Sequence, residues 1–482
     1  MKLSPKPPKA FPLMRVAFVQ NFWEDLSGPL LLAEILVRQG HEVRFFLEER
    51  GFEKKIGLFA PDVIALSVCT GQHHWYLDFA ERAKKGLSKK PLVVMGGPHP
   101  THFPEIVKHP AIDAICRGDG EIAFPKFLSG VVKGTPPVNV ENFYVKLGGR
   151  VYENPIGKVI RNLDELPIPT RKELYGPYPF LAASPHKKIM ASRGCPFNCY
   201  YCSNHAFRAL ARGKGPYLRW RSVDHVMAEI SLVKERYGYR FLDISDDLFT
   251  LNRKWALEFC ERYEKEIGLP YGVNLHARFI DDEIAAALKS SGCNSVAFGV
   301  ECGNDKTRKE LLGKDVTNAE IRRCVEILKR HKIWFRTYNI IGLPGEPLET
   351  TLETLRLNQE LKPDYAWCTL PLPLPGTRFA EICTEKTGMA EDEAMRRLNK
   401  SWFDASVVTG PDAKKIQNLH KFFGILVRRP WLMPLVDILV KLPPNPVFRM
   451  ISQAYYGNQM KKRTHMGWLR LFRIYFKVRK QY

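Results

Sequence analysis

The stretch Lys188-Ile-Met-Ala-Ser-Arg-Gly-Cys-Pro-Phe-Asn-Cys-Tyr-Tyr-Cys-Ser-Asn204 decides how this chain folds. It begins as a short apolar strand and passes into a loop in which Cys195, Cys199 and Cys202 are spaced C-x3-C-x2-C. Three thiols at this spacing allow one loop to hold one inorganic cluster. The pattern predicts a four-iron four-sulfur cluster in which one iron has no protein ligand and can bind an amine and a carboxylate.

A structural zinc site is the alternative that the same cysteines allow. Structural zinc takes four ligands at short spacing, and His205 is the only nearby candidate for the fourth. We therefore favour the cluster.

Towards the C terminus, strands alternate with helices. The strands are predicted at 188–191, 241–245, 272–275, 295–300, 334–341 and 365–371, and the helices at 223–237, 254–266, 281–290, 318–331 and 348–361. Six strands that alternate with helices predict a partial TIM-like barrel over residues 186–400, with its chemistry at the carboxyl ends of the strands.

Towards the N terminus, a second α/β series is predicted. Its strands lie at 15–20, 42–47, 63–68, 91–95 and 114–116, with helices at 30–38 and 75–85. This alternation predicts a doubly wound, Rossmann-like domain over 14–150 that binds its ligand at the carboxyl ends of the strands. Residues 1–13 are predicted to form an arm, and residues 151–185, where the periodicity fades, a linker.

The cysteine loop at this place in a βα series resembles the radical S-adenosylmethionine (SAM) superfamily. The resemblance implies that the cluster passes one electron, received from a donor such as flavodoxin or ferredoxin, to the sulfonium of SAM. The products are methionine and a 5′-deoxyadenosyl radical that removes hydrogen from the substrate. The cofactors carry this chemistry, and the protein supplies binding, orientation and exclusion of water.

The resemblance also implies which residues contact SAM. Asp246 and Asp247 meet the methionine amine, Glu301 meets the ribose, and Tyr201 lies with the segment Ile341 to Glu346 against the adenine. The residues of that segment assigned to SAM are Gly342, Gly345 and Glu346. Arg278 and Tyr338, near strand ends, are candidate catalytic residues for which a structural role is equally open.

The front domain resembles the cobalamin-binding domain of one large subfamily of these enzymes. The residues assigned to cobalamin are Ser67, Thr70, Gly71, Gly96, Gly97, Thr101, Gly118 and Glu121. Glycines at strand ends let the backbone approach a bulky ligand, and the hydroxyls of Ser67, Thr70 and Thr101 are expected to bond its buried tail. Because the Asp-x-His-x-x-Gly signature is absent, we do not expect His73, His74, His99 or His102 to coordinate cobalt.

The expected reaction is methylation of an unactivated carbon of a small hydrophobic substrate such as a lipid, an isoprenoid or a tetrapyrrole. Oxidative cyclisation and a non-catalytic, cofactor-binding or RNA-associated role remain alternatives. The methylthiotransferases that modify transfer RNA are disfavoured because their front domain carries three cluster-binding cysteines, whereas this one has only Cys69 and Cys116.

Composition places the chain among globular proteins, since 45% of its 482 residues are hydrophobic and 26% are charged. Eleven cysteines are too few for a disulfide scaffold, and no leader or membrane-spanning run is apparent, so a cytoplasmic location is expected. More than half of the net charge of +22 lies after residue 411, where fifteen Lys and Arg face two Asp. The basic, aromatic region 401–482 fits either an anionic membrane surface or helices that cap the barrel, and nucleic acid is the less favoured partner.

Overall fold

The protein was analysed as a computed structural model that describes residues 14–134, 137–398, 412–443, 445–464 and 467. The chain divides into two compact units. Within the described residues, the first unit contains 14–184 and 207–217, and the second contains 185–206 and 218 onwards.

The first unit is built on a seven-stranded sheet in the order β2-β1-β3-β4-β5-β6-β7. Its strands are β1 (Arg15–Gln20), β2 (Glu42–Leu47), β3 (Val63–Ser67), β4 (Leu92–Gly96), β5 (Ala114–Cys116), β6 (Phe143–Leu147) and β7 (Arg150–Glu153). Its longer helices are α1 (Ser27–Arg38), α2 (Phe52–Phe59), α3 (His73–Gly86), α4 (Pro98–His102) and α5 (Ala123–Val132). The first five strands pair in parallel, which confirms the predicted doubly wound arrangement.

An antiparallel pair, β6 and β7, completes this sheet in a region where the sequence shows no clear periodicity. Of the interval 151–185, expected as a linker, residues 151–184 belong to the first unit. It contains α6 (Lys172–Tyr175) and α7 (Pro179–Ala182). The backbone N–H of Leu47 donates to the hydroxyl of Tyr178 at 2.8 Å. The sequence did not predict this packing because the side chains that make it recur at neither helical nor strand spacing.

The second unit contains a six-stranded sheet in the order β15-β14-β13-β12-β11-β8 and a two-stranded ribbon of β9 and β10. Its strands are β8 (His186–Ile189), β9 (Ser192–Arg193), β10 (Arg219–Trp220), β11 (Phe241–Ile244), β12 (Tyr271–Asn274), β13 (Cys293–Glu301), β14 (Trp334–Ile340) and β15 (Tyr365–Thr369). All pairings in the larger sheet are parallel, as expected for the predicted partial barrel.

Helices lie between and after these strands. They are α8 (Ser203–Leu210), α9 (Val223–Tyr237), α10 (Arg253–Glu266), α11 (Asp282–Ser290), α12 (Asp305–Leu312), α13 (Asn318–Arg330), α14 (Leu348–Leu361), α15 (Arg378–Thr387), α16 (Glu391–Arg397), α17 (Ala413–Arg428), α18 (Val436–Leu439) and α19 (Pro446–Thr464). Side-chain caps fix several of their starts: Ser222, Asn252 and Asp281 each accept a backbone N–H of the first turn. The helices bury apolar faces against the strands, and this forms the main core of the unit.

After α16, residues 399–411 lie outside the described part, and α17 then packs against β15 and α14. Leu419, Phe423 and Leu426 of α17 are almost fully buried in this contact. The capping role considered for the basic region therefore holds for α17. Among the described residues, none of the helices has the length and apolarity to cross a bilayer.

Candidate functional site

The three cysteines of the decisive loop lie between β9 and α8, and all three are half-buried. Backbone hydrogen bonds fix the loop on two sides. The N–H of Tyr200 donates to the carbonyl of Leu312 at 2.8 Å, and the N–H of Phe379 donates to the carbonyl of Tyr200 at 3.1 Å. The ends of α12 and α15 therefore hold the middle of the cysteine loop in place.

The thiols lie close enough to influence one another electrostatically. Burial, followed by nearby Asp247 and the other two thiols, raises the pKa of Cys195 to about 12. Burial also raises the pKa of Cys199 and of Cys202. A bound iron supplies the positive charge that such buried thiols need in order to lose their protons, so this donor set suits a metal cluster.

The geometry also distinguishes a cluster from a single zinc ion. In the part of the chain that the structure describes, no three His, Cys, Asp or Glu side chains converge as ligands of one ion would. In a cubane each thiolate binds its own iron, so the three sulfurs need not converge. His205 is not available as a fourth zinc ligand, because its Nδ1 lies 3.0 Å from the carbonyl of Cys199 and its Nε2 accepts the N–H of Arg378 at 3.2 Å.

The two aspartates after β11 have different surroundings. The carboxylate of Asp246 is buried and accepts hydrogen bonds from the N–H of Ala191 at 2.7 Å and the hydroxyl of Ser192 at 2.6 Å. Burial raises the pKa of Asp246 to about 6. Asp246 thus ties β11 to the start of the cysteine loop, whereas Asp247 is exposed and better placed to meet an amine.

Glu301 ends β13 with a left-handed backbone, at φ +64°. Its Oε1 accepts from the hydroxyl of Tyr201 at 2.8 Å and from Nζ of Lys314 at 3.2 Å. Both bonds use the same oxygen, so Oε2 remains for a ligand. A Cβ on Gly299 would lie 1.8 Å from Oε1, so glycine is required there for the carboxylate to fold back along the strand.

The segment after β14 is held by its own glutamate. Oε2 of Glu346 accepts the N–H of Gly342 at 2.9 Å and that of Leu343 at 2.8 Å, and its buried Oε1 has no partner within the described ranges of the chain. Burial raises the pKa of Glu346 to about 7. Gly342 and Gly345 both have positive φ, which this tight turn requires. Glu346 therefore shapes the loop expected beside the adenine.

Of the two candidate catalytic residues, Arg278 has a structural role. Its Nε donates to Glu320 Oε1 at 2.6 Å, and Glu320 belongs to the capping box of α13. The hydroxyl of Tyr338 donates to Oδ1 of Asn274 at 3.2 Å, so side chains of β14 and β12 meet across β13. The catalytic role considered for Tyr338 stays a prediction, whereas Arg278 is engaged in an ion pair at the start of a helix.

Two buried residues at this site, Lys314 and His276, could not be predicted from the sequence. Lys314 reaches Glu301 from the loop after α12. The ring of His276 stacks on Phe197 of the cysteine loop with centroids 4.3 Å apart, and burial lowers the pKa of His276 to about 3. Each residue contacts its partner from a different loop or strand, and neither lies in a recognisable motif.

In the first unit, the expected cobalamin residues lie at the carboxyl ends of β3, β4 and β5, but two of the hydroxyls are already engaged. The hydroxyl of Thr101 donates to the carbonyl of Gly97 at 2.7 Å and accepts the N–H of Gly118 at 3.0 Å. The hydroxyl of Thr70 lies 3.0 Å from Nδ1 of His99. Thr101 and Thr70 thus join the strand-end loops, and their expected bonds to the ligand's tail stay a prediction.

The glycines of this edge allow close packing of its loops. A Cβ on Gly97, where φ is +95°, would lie 2.9 Å from the backbone of Val68. Gly71 and Gly118 also have positive φ. Ser67 and Gly96 pair in register where β3 and β4 end, and Glu121, on the loop before α5, lines a small cavity.

Three buried polar atoms at this same edge have no hydrogen-bond partner among the residues that the structure describes. They are Oε1 of Gln20 at the end of β1, Oε1 of Gln72 after β3 and Nε2 of His99 after β4. Buried polar atoms are nearly always hydrogen-bonded, so their presence at the ligand-binding edge of a doubly wound sheet fits a polar ligand that would satisfy them. His99 is fully buried and stacks on His73, and burial together with His73 and His74 lowers its pKa to about 2.

A partial parallel barrel with a three-thiol loop, preceded by a doubly wound unit with an unsatisfied ligand edge, defines a class of two-cofactor iron–sulfur enzymes. The profile of the radical SAM superfamily matches residues 189–357, and that of the B12 binding domain matches residues 16–128. The chain belongs to the radical SAM superfamily, and within it to the enzymes that carry a B12-binding domain. Its cofactors are a four-iron four-sulfur cluster, SAM and cobalamin.

Comparison with individual proteins agrees with this assignment. An uncharacterised methyltransferase of Pyrococcus horikoshii is 33% identical over 366 residues, which are 73% of this chain and 78% of that protein. The anaerobic magnesium-protoporphyrin IX monomethyl ester cyclase of Rubrivivax gelatinosus is 27% identical over 87% of this chain and 78% of its own length. The structure of the radical SAM methyltransferase TsrM from Kitasatospora setae shares the fold, with a TM-score of 0.65 and 16% identity over 77% of this chain and 75% of that one.

Proposed function

We propose that the enzyme transfers a methyl group to an unactivated carbon of a hydrophobic substrate. The observation that carries the proposal is that one chain contains a three-thiol loop beside Asp247 and Glu301 and a B12-binding unit with unsatisfied atoms at its ligand edge. When bound, the cluster supplies the electron that opens SAM, and cobalamin supplies a carrier for the methyl group.

The protein's own residues bind and orient the reactants. Asp247 receives the amine of SAM, and Oε2 of Glu301, held in place by Tyr201 and Lys314, receives a ribose hydroxyl. The loop that Glu346 shapes covers the adenine. Tyr338 and Asn274 line the concave face on which the substrate lies.

The hydrophobic class of substrate is supported by a relative. The cyclase of Rubrivivax gelatinosus is named for magnesium-protoporphyrin IX monomethyl ester, a large and largely apolar macrocycle. The similarity to methyltransferases favours methyl transfer over cyclisation for this chain. The substrate is proposed to be a compound of this size and polarity.

The test uses anaerobically reconstituted full-length protein with hydroxocobalamin, a reductant and SAM that carries a labelled methyl group, so that the cobalamin takes its methyl group from SAM. Incubation with lipid and pigment extracts should release 5′-deoxyadenosine and give a labelled product one methylene heavier than its precursor, detected by mass spectrometry. The variant Cys195→Ala/Cys199→Ala/Cys202→Ala is the control and should give neither. An unlabelled product that has lost two hydrogens would identify a cyclase, and SAM left intact by the reconstituted wild type would refute the proposal.

A further inference from the structure

The C-terminal helices expose an unusual amount of apolar surface. Of the eleven large apolar side chains that the described residues leave exposed, eight lie between residues 431 and 456. The eight are Trp431, Leu435, Ile438, Leu442, Val447, Met450, Ile451 and Tyr456. Scattered exposed apolar residues are common, but a concentration in one segment marks an interaction surface.

In α19 the exposed apolar residues follow a helical period. Val447, Met450 and Ile451 are at positions i, i+3 and i+4, so they share one face. A different face of α19 packs inwards, where the ring centroids of Phe448 and of Phe422 on α17 lie 4.7 Å apart. The exposed stripe of α19 is therefore not needed to hold the helix on the protein.

The preceding segment repeats this pattern. It consists of the 3-10 turn Pro430–Leu435 and α18. Trp431, Leu435, Ile438 and Leu442 are spaced by four, three and four residues and are 42% to 72% exposed, whereas Val436 and Val440 are buried. These four residues and Val447, Met450 and Ile451 are called the outer stripes below.

The charges around the outer stripes are almost all positive. Between residues 428 and 462 there are six Arg and Lys and one acidic residue, Asp437. The exposed cations are Arg428, Arg429, Lys441, Arg449 and Lys462. Cations flanking an apolar stripe suit a surface that is both apolar and negatively charged.

The combination of apolar stripes and flanking cations distinguishes between possible binding partners of this surface. A second copy of the chain would bring two positive surfaces together, which is electrostatically unfavourable. RNA would contact the cations but would find mainly aliphatic side chains in the stripes, and these cannot stack on bases. An anionic bilayer offers headgroups to the cations and an acyl boundary to the apolar residues, with Trp431 suited to the level of the headgroups.

We propose that the outer stripes dock the enzyme on the surface of an anionic lipid bilayer, with the apolar residues in the interface and the flanking cations on the headgroups. The proposal rests on the surface and not on the proposed reaction. Docking would give the enzyme direct access to a hydrophobic substrate dissolved in the bilayer.

The test measures sedimentation of full-length protein with phosphatidylcholine vesicles that contain or lack phosphatidylglycerol. The wild type should sediment with the anionic vesicles and be released by salt. Ile438→Glu/Met450→Glu, which places a charge in each stripe, should bind about ten-fold more weakly or worse. Leu58→Glu is the matched control, because Leu58 is 78% exposed in the first unit, and it should bind like the wild type.

A second variant, Lys441→Glu/Arg449→Glu, keeps the apolar residues and should bind at least about twenty-five-fold more weakly to anionic vesicles, since each of the two cations near the surface contributes about five-fold. Thermal unfolding identifies any variant that is misfolded. Equal binding by wild type and Ile438→Glu/Met450→Glu, or no binding by the wild type, would overturn the proposal. The proposal would also be overturned if the wild type formed a dimer that Ile438→Glu/Met450→Glu abolishes, or if RNA competed with the vesicles for binding. None of these measurements requires turnover, so docking and methyl transfer can fail separately.

Discussion

The geometry of Glu301 depends on a buried arginine. Arg308 is fully buried, and its guanidinium donates to the carbonyls of Val300, Cys302 and Val316. The first two carbonyls flank Glu301, whose left-handed backbone is costly for a residue with a side chain. Arg308 is therefore a positioning residue that holds the end of β13.

Replacing Arg308 by Met should unfold the second unit more easily, because several buried acceptors lose their donor. We expect a loss of about 3 to 5 kcal/mol in the free energy of unfolding, measured in urea. Arg322→Met is the control. Arg322 is an exposed partner of Glu360, so its replacement should cost less than about 1 kcal/mol. Similar losses for the two variants would contradict the role of Arg308.

Glu346 makes stability depend on pH. Because burial raises its pKa from 4.5 to about 7, the folded protein holds this proton more tightly than the unfolded chain. Stability from this group is thus fully present below about pH 4.5 and is lost as the pH rises to about 7. Glu346→Gln keeps an acceptor for Gly342 and Leu343, so it should gain roughly 3 kcal/mol on the wild type between these limits. If the melting temperatures of the wild type and of Glu346→Gln changed in the same way with pH across this range, the assignment would be disproved.

Among the helices, the attachment of α19 depends on one glycine of α17. A Cβ on Gly424 would lie 2.5 Å from Cε1 of Tyr455 on α19. Gly424→Ala should therefore displace α19 and cost about 1 to 3 kcal/mol, with faster proteolysis of α19 as a second measurement. Gly86→Ala, at the end of α3, is the control. No atom lies within 4 Å of a Cβ there, so this change should be neutral or slightly stabilising.

The two units are expected to bind their cofactors separately. Gly97 in the first unit packs against the backbone of Val68, so Gly97→Ala should disturb the ligand edge and lower cobalamin content about ten-fold, while iron content stays unchanged. Gly148→Ala is the control, because Gly148 also has positive φ but faces open space. Absorbance of cobalamin and assay of iron on the same sample provide the measurement, and loss of both from Gly97→Ala would indicate general misfolding instead.

Much of the architecture could be predicted because it is local. Short apolar strands alternating with amphipathic helices predict the parallel strands of both large sheets, and the spacing of Cys195, Cys199 and Cys202 predicts the cluster loop. The β6–β7 hairpin and the packing of residues 151–185 were missed because their contacts are irregularly spaced. Residues 1–13 and 468–482, expected as an arm and as part of the basic region, lie outside the described residues.

The sequence by itself determined the order of the elements, the cysteine loop and the family, because each of these is written in local spacing. Only the tertiary structure decided that Lys314 and Tyr201 share one oxygen of Glu301, that Arg278 serves a helix start, and that Thr101 joins the loops after β4 and β5. These contacts join residues that are 13 to 100 positions apart in the chain. Whether a polar side chain is satisfied inside the protein or left for a ligand depends on which distant segments the fold brings beside it.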